Sequence, residues 1–177
     1  MTNWLKIKIK MKLAIVSDSH DNLTNIKKFL NYCEKNNVEK IIHCGDVTED
    51  ETRDFFIANF YGEIFFVEGN ADINAQQQVK RTNRFQNLPR KKIPFLELDF
   101  DKIKISACHT REKAKGLALK NLYNIVFYGH NHKPWQEKIN KTFIINPGNL
   151  AGMFFRASFA TYDTETKKLE LILLEKI

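Results

Sequence analysis

The stretch Lys12-Leu-Ala-Ile-Val-Ser-Asp-Ser-His20 decides how this chain is read. Its apolar run is too short for a buried helix and ends abruptly in polar residues, as a buried strand entering a loop does. Directly after it, Asn22 to Asn37 places Leu23, Ile26, Phe29, Leu30 and Cys33 at helical spacing. The order is therefore strand, loop, helix. Asp21 or Asn22 can cap the helix, and the Asn36-Asn37 pair closes it before the next apolar run, Lys40-Ile-Ile-His-Cys44.

Working outward, the same unit recurs. Arg53 to Phe60 reads as a helix, Ile64 to Val67 as a strand, and Gly69 as the turn after it. Strands alternating with helices imply parallel pairing, and functional groups then collect on loops beyond the carboxyl ends of the strands. The second half is richer in strands, at 93–98, 102–108, 125–128, 143–145, 155–162 and 168–174, with one helix at 112–122. This pattern predicts an α/β fold: a two-sheet β-sandwich flanked by helices, in a single domain over residues 11–177. Residues 1–10 alternate Leu5, Ile7 and Ile9 with lysines, as an added edge strand would. Met11-Lys12 is itself a natural chain start, so an extension with no role in the site is the other reading.

Composition narrows the class. Of 177 residues, 43% are hydrophobic and 28% charged, the balance of a globular chain rather than a disordered one. No apolar run approaches the roughly 20 residues that cross a bilayer, and the first dozen residues hold no signal-type apolar core, so a cytoplasmic protein with no membrane partner is expected. The three cysteines, Cys33, Cys44 and Cys108, form no CxxC pair and are read as reduced, the latter two packed near strand ends. The net charge of +7 favours anions and tolerates nucleic acid non-specifically, but its runs at Lys80 to Arg84 and Arg90 to Lys92 read as solvated faces. No specific nucleic-acid recognition is expected, and a homo-oligomer is compatible with the sequence.

The chemistry-bearing residues sit at strand ends. Of five histidines, four lie in polar clusters after predicted strands: His20 in Asp18-Ser-His20, His109 after 102–108, and His130 and His132 in Gly129-His-Asn-His132. Gly45-Asp46 and Gly69-Asn70 end two further strands, so five strand ends deliver an oxygen or imidazole each. A lone His or Asp at a strand end is more often a turn residue than a ligand. So many His and Asp groups gathered without a cation would be poorly satisfied, which favours a metal site for the whole set.

In their order, these motifs resemble those of the calcineurin-like metallophosphoesterases, in particular the small bacterial and archaeal phosphodiesterases of that superfamily. The downstream Asn146-Pro-Gly-Asn149 is similar to their Asn-Pro-Gly-Ser turn. The resemblance implies one ion held by Asp18, His20, Asp46 and His132 and a second by Asp46, Asn70, His109 and His130, with Asp46 bridging. Such mixed nitrogen and oxygen sets suit two divalent transition-metal ions, with Mn placed first and Ni, Fe, Zn or Co as alternatives. It further implies a metal-dependent phosphodiesterase that hydrolyses a small or nucleotide-like phosphodiester by attack of a metal-bridging hydroxide, with Asp46, Asn70 and His109 acting through the metals. Two dications set against two carboxylates and a hydroxide leave a charge of about +1, which attracts a phosphodiester monoanion.

The sequence departs from the family pattern in Gly69-Asn-Ala-Asp72, where Ala71 stands in place of a common histidine. Alanine cannot protonate a leaving group, so efficient cleavage of esters with poor leaving groups is not expected. Asp72 is read either as a carboxylate orienting a ligand histidine or as a helix cap. Asn22, Arg111 and Arg156 are candidate substrate contacts, each with a structural alternative: helix capping for Asn22 and surface salt bridging for the two arginines. His43 reads as packed or hydrogen-bonded under the site, and Phe154 and Phe155 can line a substrate rim. The rival function is a non-catalytic protein-binding or scaffold protein on the same fold, as in the retromer subunit that resembles these phosphodiesterases.

Overall fold

The computed structural model describes residues 11–72, 93–100 and 103–177. The expectation of an edge strand at 1–10 and the basic runs at 80–84 and 90–92 lie outside the described residues. Among the described residues, ten strands form two five-stranded mixed sheets. The first has the order β10-β9-β1-β2-β3, built from β1 (Lys12–Val16), β2 (Lys40–His43), β3 (Glu63–Phe66), β9 (Ser158–Asp163) and β10 (Leu169–Leu173). The second has the order β4-β5-β6-β8-β7, from β4 (Leu96–Phe100), β5 (Ile103–Ala107), β6 (Ile125–Phe127), β7 (Trp135–Ile139) and β8 (Thr142–Asn146). Parallel β1-β2-β3 and β5-β6-β8 carry antiparallel neighbours at their flanks.

Period-two alternation builds the layers. Leu13 and Ile15 of β1 join Ile42, Ile105, Phe127 and Tyr162 in the core between the sheets. The intervening Ala14 and Val16 turn outward to α1 (Leu23–Lys35) and α2 (Asp50–Ala58), packing with Phe29, Phe56 and Phe159. On the far side, Val126 and Ile144 meet Ala114, Leu117 and Ala118 of α3 (Arg111–Leu119). The central strands of both sheets are thus buried on both faces, each buried large apolar side chain contributing about 1.5–3 kcal/mol.

Local chemistry sets the helix ends. The Asn22 side chain accepts from the Asn25 N–H at 3.1 Å and caps α1, whose buried stripe is Ile26, Phe29, Leu30 and Cys33. Asp50 and Glu51 extend α2 three residues earlier than the apolar spacing indicates, because acidic groups are favoured in a first helical turn. β4 begins at Leu96 rather than Ile93: Ile93 makes an isolated bridge to Val67, and Pro94 has no N–H to continue a ladder. The 155–162 strand starts at Ser158, since Phe154 has φ +64 and the Phe155 N–H turns back to the Met153 carbonyl. The sequence reading missed β7. Among the described residues it pairs only with β8, at the sheet edge, and has no buried apolar face, its exposure leaving the pattern without an alternating core signal.

Candidate metal centre

The expected ligands converge at the carboxyl ends of the parallel strands. Asp18 and His20 follow β1, Asp46 follows β2, Asn70 follows β3, His109 follows β5, and His130 and His132 follow β6. The loops are laced to one another: the Asp18 N–H donates to the Gly45 carbonyl at 3.0 Å, His20 N–H to Asp46 carbonyl at 3.2 Å, and Gly129 N–H to His109 carbonyl at 2.9 Å. Two glycines permit the close approach. A Cβ on Gly69 would collide with the carboxylate and amide of Asp46, and one on Gly129 with the Ser17 hydroxyl and the Asp18 carboxylate.

Two groups of side chains result. Asp18, His20 and His132 bring one ligand atom each to within 4.8 Å of one another, and so do Asp46, His109 and His130. In the first group, His132 Nε2 lies 3.4 Å from Asp18 Oδ1 and 3.2 Å from His20 Nε2. In the second, His109 Nε2 lies 3.4 Å from Asp46 Oδ1 and 2.8 Å from Asn70 Oδ1. The two oxygens of Asp46 face different groups, Oδ1 toward His109 and Oδ2 toward His20 at 3.8 Å.

The backbone at this site is strained. Asp18, His20, Asp46, His130 and His132 all have positive φ, between 38° and 74°. Left-handed backbone costs a non-glycine residue roughly 1–2 kcal/mol, and five such residues in one cluster mark a place where side-chain direction outweighs local stability.

The electrostatics are those of a cation site. The His109 Nδ1–H donates to the buried Cys44 carbonyl at 2.8 Å, which leaves the Nε2 lone pair facing two oxygen acceptors. Three acceptors turned toward one point are satisfied by a proton or by a metal ion. Burial pushes the Asp46 carboxyl up, but the His109 side chain, the Ala71 N–H at 2.8 Å and nearby imidazoles outweigh it and bring it down to about 2. Burial also opposes a charge on His109, and the carboxylates of Asp46 and Asp18 overcome this, raising it. Asp18 is raised, chiefly by its own burial. The donor set therefore fits divalent ions: buried carboxylates and imidazole nitrogens whose lone pairs converge.

The other expected residues are placed as follows. The Asp72 carboxylate accepts the Val47 N–H at 2.7 Å and the Gly69 N–H at 2.6 Å and pairs with Arg53 at 3.0 Å; these partners are backbone and guanidinium rather than an imidazole. It ties the Asp46 loop to the Asn70 loop. Asn22 caps α1 and donates to the Ala151 carbonyl at 3.0 Å. Arg111 is engaged by Glu137 at 2.6 Å and Arg156 by Glu175 at 2.9 Å. Cys33, Cys44 and Cys108 are free and buried, and burial pushes all three thiols up, Cys108 to about 12.

Two supports have partners that the sequence reading did not name, although His43 itself was read as packed or hydrogen-bonded under the site. Asn146 donates to the Gly129 carbonyl at 3.0 Å and Asn149 to the His132 carbonyl at 3.2 Å, so the Asn-Pro-Gly-Asn turn braces the Gly-His-Asn-His loop. Beneath the site, His43 accepts the Gly45 N–H on Nδ1 at 3.3 Å and its Nε2–H donates to Ser19 Oγ at 3.0 Å. The repeated Asn positions in the one turn were the available signal; for the His43–Ser19 contact there was none.

Burial, aided by the Arg53 charge, lowers His43 to about 3, well below the ordinary value of 6.5. The unfolded chain takes up this proton at higher pH than the folded one. Its contribution to stability is thus complete above about pH 6.5 and is lost as pH falls toward about 3, by up to about 1.4 kcal/mol per unit. In urea unfolding with chelator present, the stability advantage of the natural chain over His43→Gln should shrink steadily from pH 7 to pH 4.5. A constant gap would contradict a neutral buried His43.

Comparison with known proteins agrees with this geometry. The model of the calcineurin-like phosphoesterase superfamily domain matches residues 11–167. Phosphodiesterase MJ0936 of Methanocaldococcus jannaschii is 32% identical over 171 residues, covering 93% of this chain and 100% of that protein. A solved structure described as a novel archaeal phosphodiesterase superposes with a TM-score of 0.77 at 28% identity, over 92% of this chain and 99% of that one. Vps29 of Chaetomium thermophilum shares the fold, with a TM-score of 0.65 at 14% identity over 92% of this chain and 95% of that one.

Proposed function

We propose, on the premise that this chain belongs to the calcineurin-like phosphoesterase superfamily, that it is a dinuclear metal-dependent phosphodiesterase acting on a small or nucleotide-like phosphodiester. The observation that carries this reading is the Asp46 carboxylate, whose two oxygens face the two ligand groups at 3.4 and 3.8 Å. Asp18, His20 and His132 would hold one ion and Asn70, His109 and His130 the other, with Asp46 shared. Two bound ions supply a nucleophile from water at neutral pH and stabilise charge on phosphate oxygens. The mixed nitrogen and oxygen donors suit Mn, Ni, Fe, Zn or Co, of which this reading places Mn first.

The chain's own residues fix the geometry. The Cys44 carbonyl holds the His109 tautomer, the Ala71 N–H orients Asp46, and the His130 N–H, at 3.0 Å, orients Asp18. With Ala71 beside Asn70, no imidazole at that position gives a proton to the leaving group, so diesters with good leaving groups should be turned over best. Buried, reduced cysteines fit a reducing compartment, and a cytoplasmic location is part of this reading.

The test is turnover by metal-stripped protein with Mn, Ni, Zn, Fe or Mg restored separately. The substrates are an activated phosphodiester and its matching monoester. Metal-dependent hydrolysis with preference for the diester is expected. A folded protein inert with every ion would favour the second reading, a non-catalytic protein-binding role on the same fold.

A further inference from the structure

Beside the first ligand group lies a loop that the proposed reaction does not use. Met153, Phe154 and Phe155 are 43%, 86% and 42% exposed, three consecutive large apolar residues facing water. Single exposed apolar residues are ordinary, but a contiguous apolar patch at the rim of a polar site is not. The Phe154 ring centroid lies 5.8 Å from that of His132, at an interplanar angle of 40°. His132 in turn lies 5.1 Å from the ring of His20.

The loop is pinned in place. Asn25 donates to the Leu150 carbonyl at 2.8 Å, Asn22 to the Ala151 carbonyl at 3.0 Å, and Asn149 accepts the Met153 N–H at 2.8 Å. The Ala151 N–H donates to the Asp18 carbonyl at 3.1 Å, so the loop is fastened directly to a ligand-bearing segment. Phe154 nevertheless has φ +64, a conformation that costs an aromatic residue about 1 kcal/mol or more, and it recovers almost none of this by burial. An aromatic ring held in strained backbone, against a ligand imidazole and open to solvent, has the properties of a stacking platform.

We infer that Phe154 is a specificity residue that stacks on a planar aromatic group, a nucleobase or aryl ring, esterified to the phosphate held at the metal centre. The inference rests on the phosphoesterase reading and names the substrate class for that same site. A ring on the phosphate ester meets Phe154, whereas inorganic phosphate offers nothing to stack.

The test is calorimetric binding to Mn-loaded protein of three probes: thymidine 5′-monophosphate, phenyl phosphate and inorganic phosphate. Phe154→Ala and Phe154→Leu should weaken the nucleotide about tenfold and leave inorganic phosphate unchanged, while Phe154→Trp retains nucleotide affinity. A parallel loss for phenyl phosphate identifies ring stacking in general, and its absence identifies the nucleobase. Equal weakening of all three probes would overturn the inference, showing that Phe154 acts by supporting His132. Unchanged nucleotide affinity in Phe154→Ala would overturn it as well. Failure of the natural protein to bind inorganic phosphate with metal present would instead contradict the parent reading, and this inference with it.

Discussion

Replacing Asp46 by alanine is expected to abolish metal-dependent phosphodiester hydrolysis, a loss of at least about 10³-fold in kcat/KM. The carboxylate faces both ligand groups, Oδ1 toward His109 and Oδ2 toward His20, and it is held ionised with a pKa of about 2. On the proposed reading, its removal would take an anionic ligand from both ions at once. Charge stabilisation by metal ions is worth several kcal/mol, and each 1.4 kcal/mol is about tenfold in rate. The Asp46→Asn variant keeps the shape and an acceptor for the Ala71 N–H but not the charge, and should fall nearly as far. Circular dichroism of both variants should remain that of the natural protein. Retention of more than a tenth of the activity in either would show that Asp46 is not a shared ligand.

The second large effect is on stability. Asp72 exposes only 2% of its side chain, yet it pairs with Arg53 and accepts the N–H groups of Val47 and Gly69. Asp72→Ala leaves two backbone donors and a partly buried guanidinium without their acceptor. Breaking a buried ion pair from one side costs about 3–5 kcal/mol, a large part of the 5–15 kcal/mol that holds a typical domain folded. Urea unfolding of chelator-treated protein should show this loss, with Asp72→Asn less affected because its amide oxygen still accepts one N–H. Asp72 joins the loops that carry Asp46 and Asn70, so the same variant should also weaken metal binding. A loss below about 1 kcal/mol would contradict the clamp.

The sequence revealed the strands whose two faces are both buried and the helices with an apolar stripe. Leu13 and Ile15 alternate with Ala14 and Val16 because one pair meets the second sheet and the other meets α1 and α2. β7 could not be read this way, since an exposed edge strand such as Trp135–Ile139 need not alternate. The ligand-type residues were visible because only a few side chains can take that role and each follows a strand. What braces them was not visible. Asp72 with Val47 and Gly69, His43 with Ser19, and Asn149 with the His132 carbonyl are partnerships between loops distant in sequence, and only folding brings them together. Phe155 and Arg156 were misjudged as the start of a strand because aromatic residues have high strand propensity, which the turn of the Phe155 N–H back to the Met153 carbonyl overrides.

The central claim is that two ions occupy two adjacent groups of residues joined by Asp46, and anomalous X-ray scattering from Mn-loaded crystals tests it most directly. The account predicts two peaks about 3.5–4 Å apart, one among Asp18, His20 and His132, the other among Asn70, His109 and His130, with Asp46 between them. A single peak, or none at Mn concentrations that support full turnover, would contradict it.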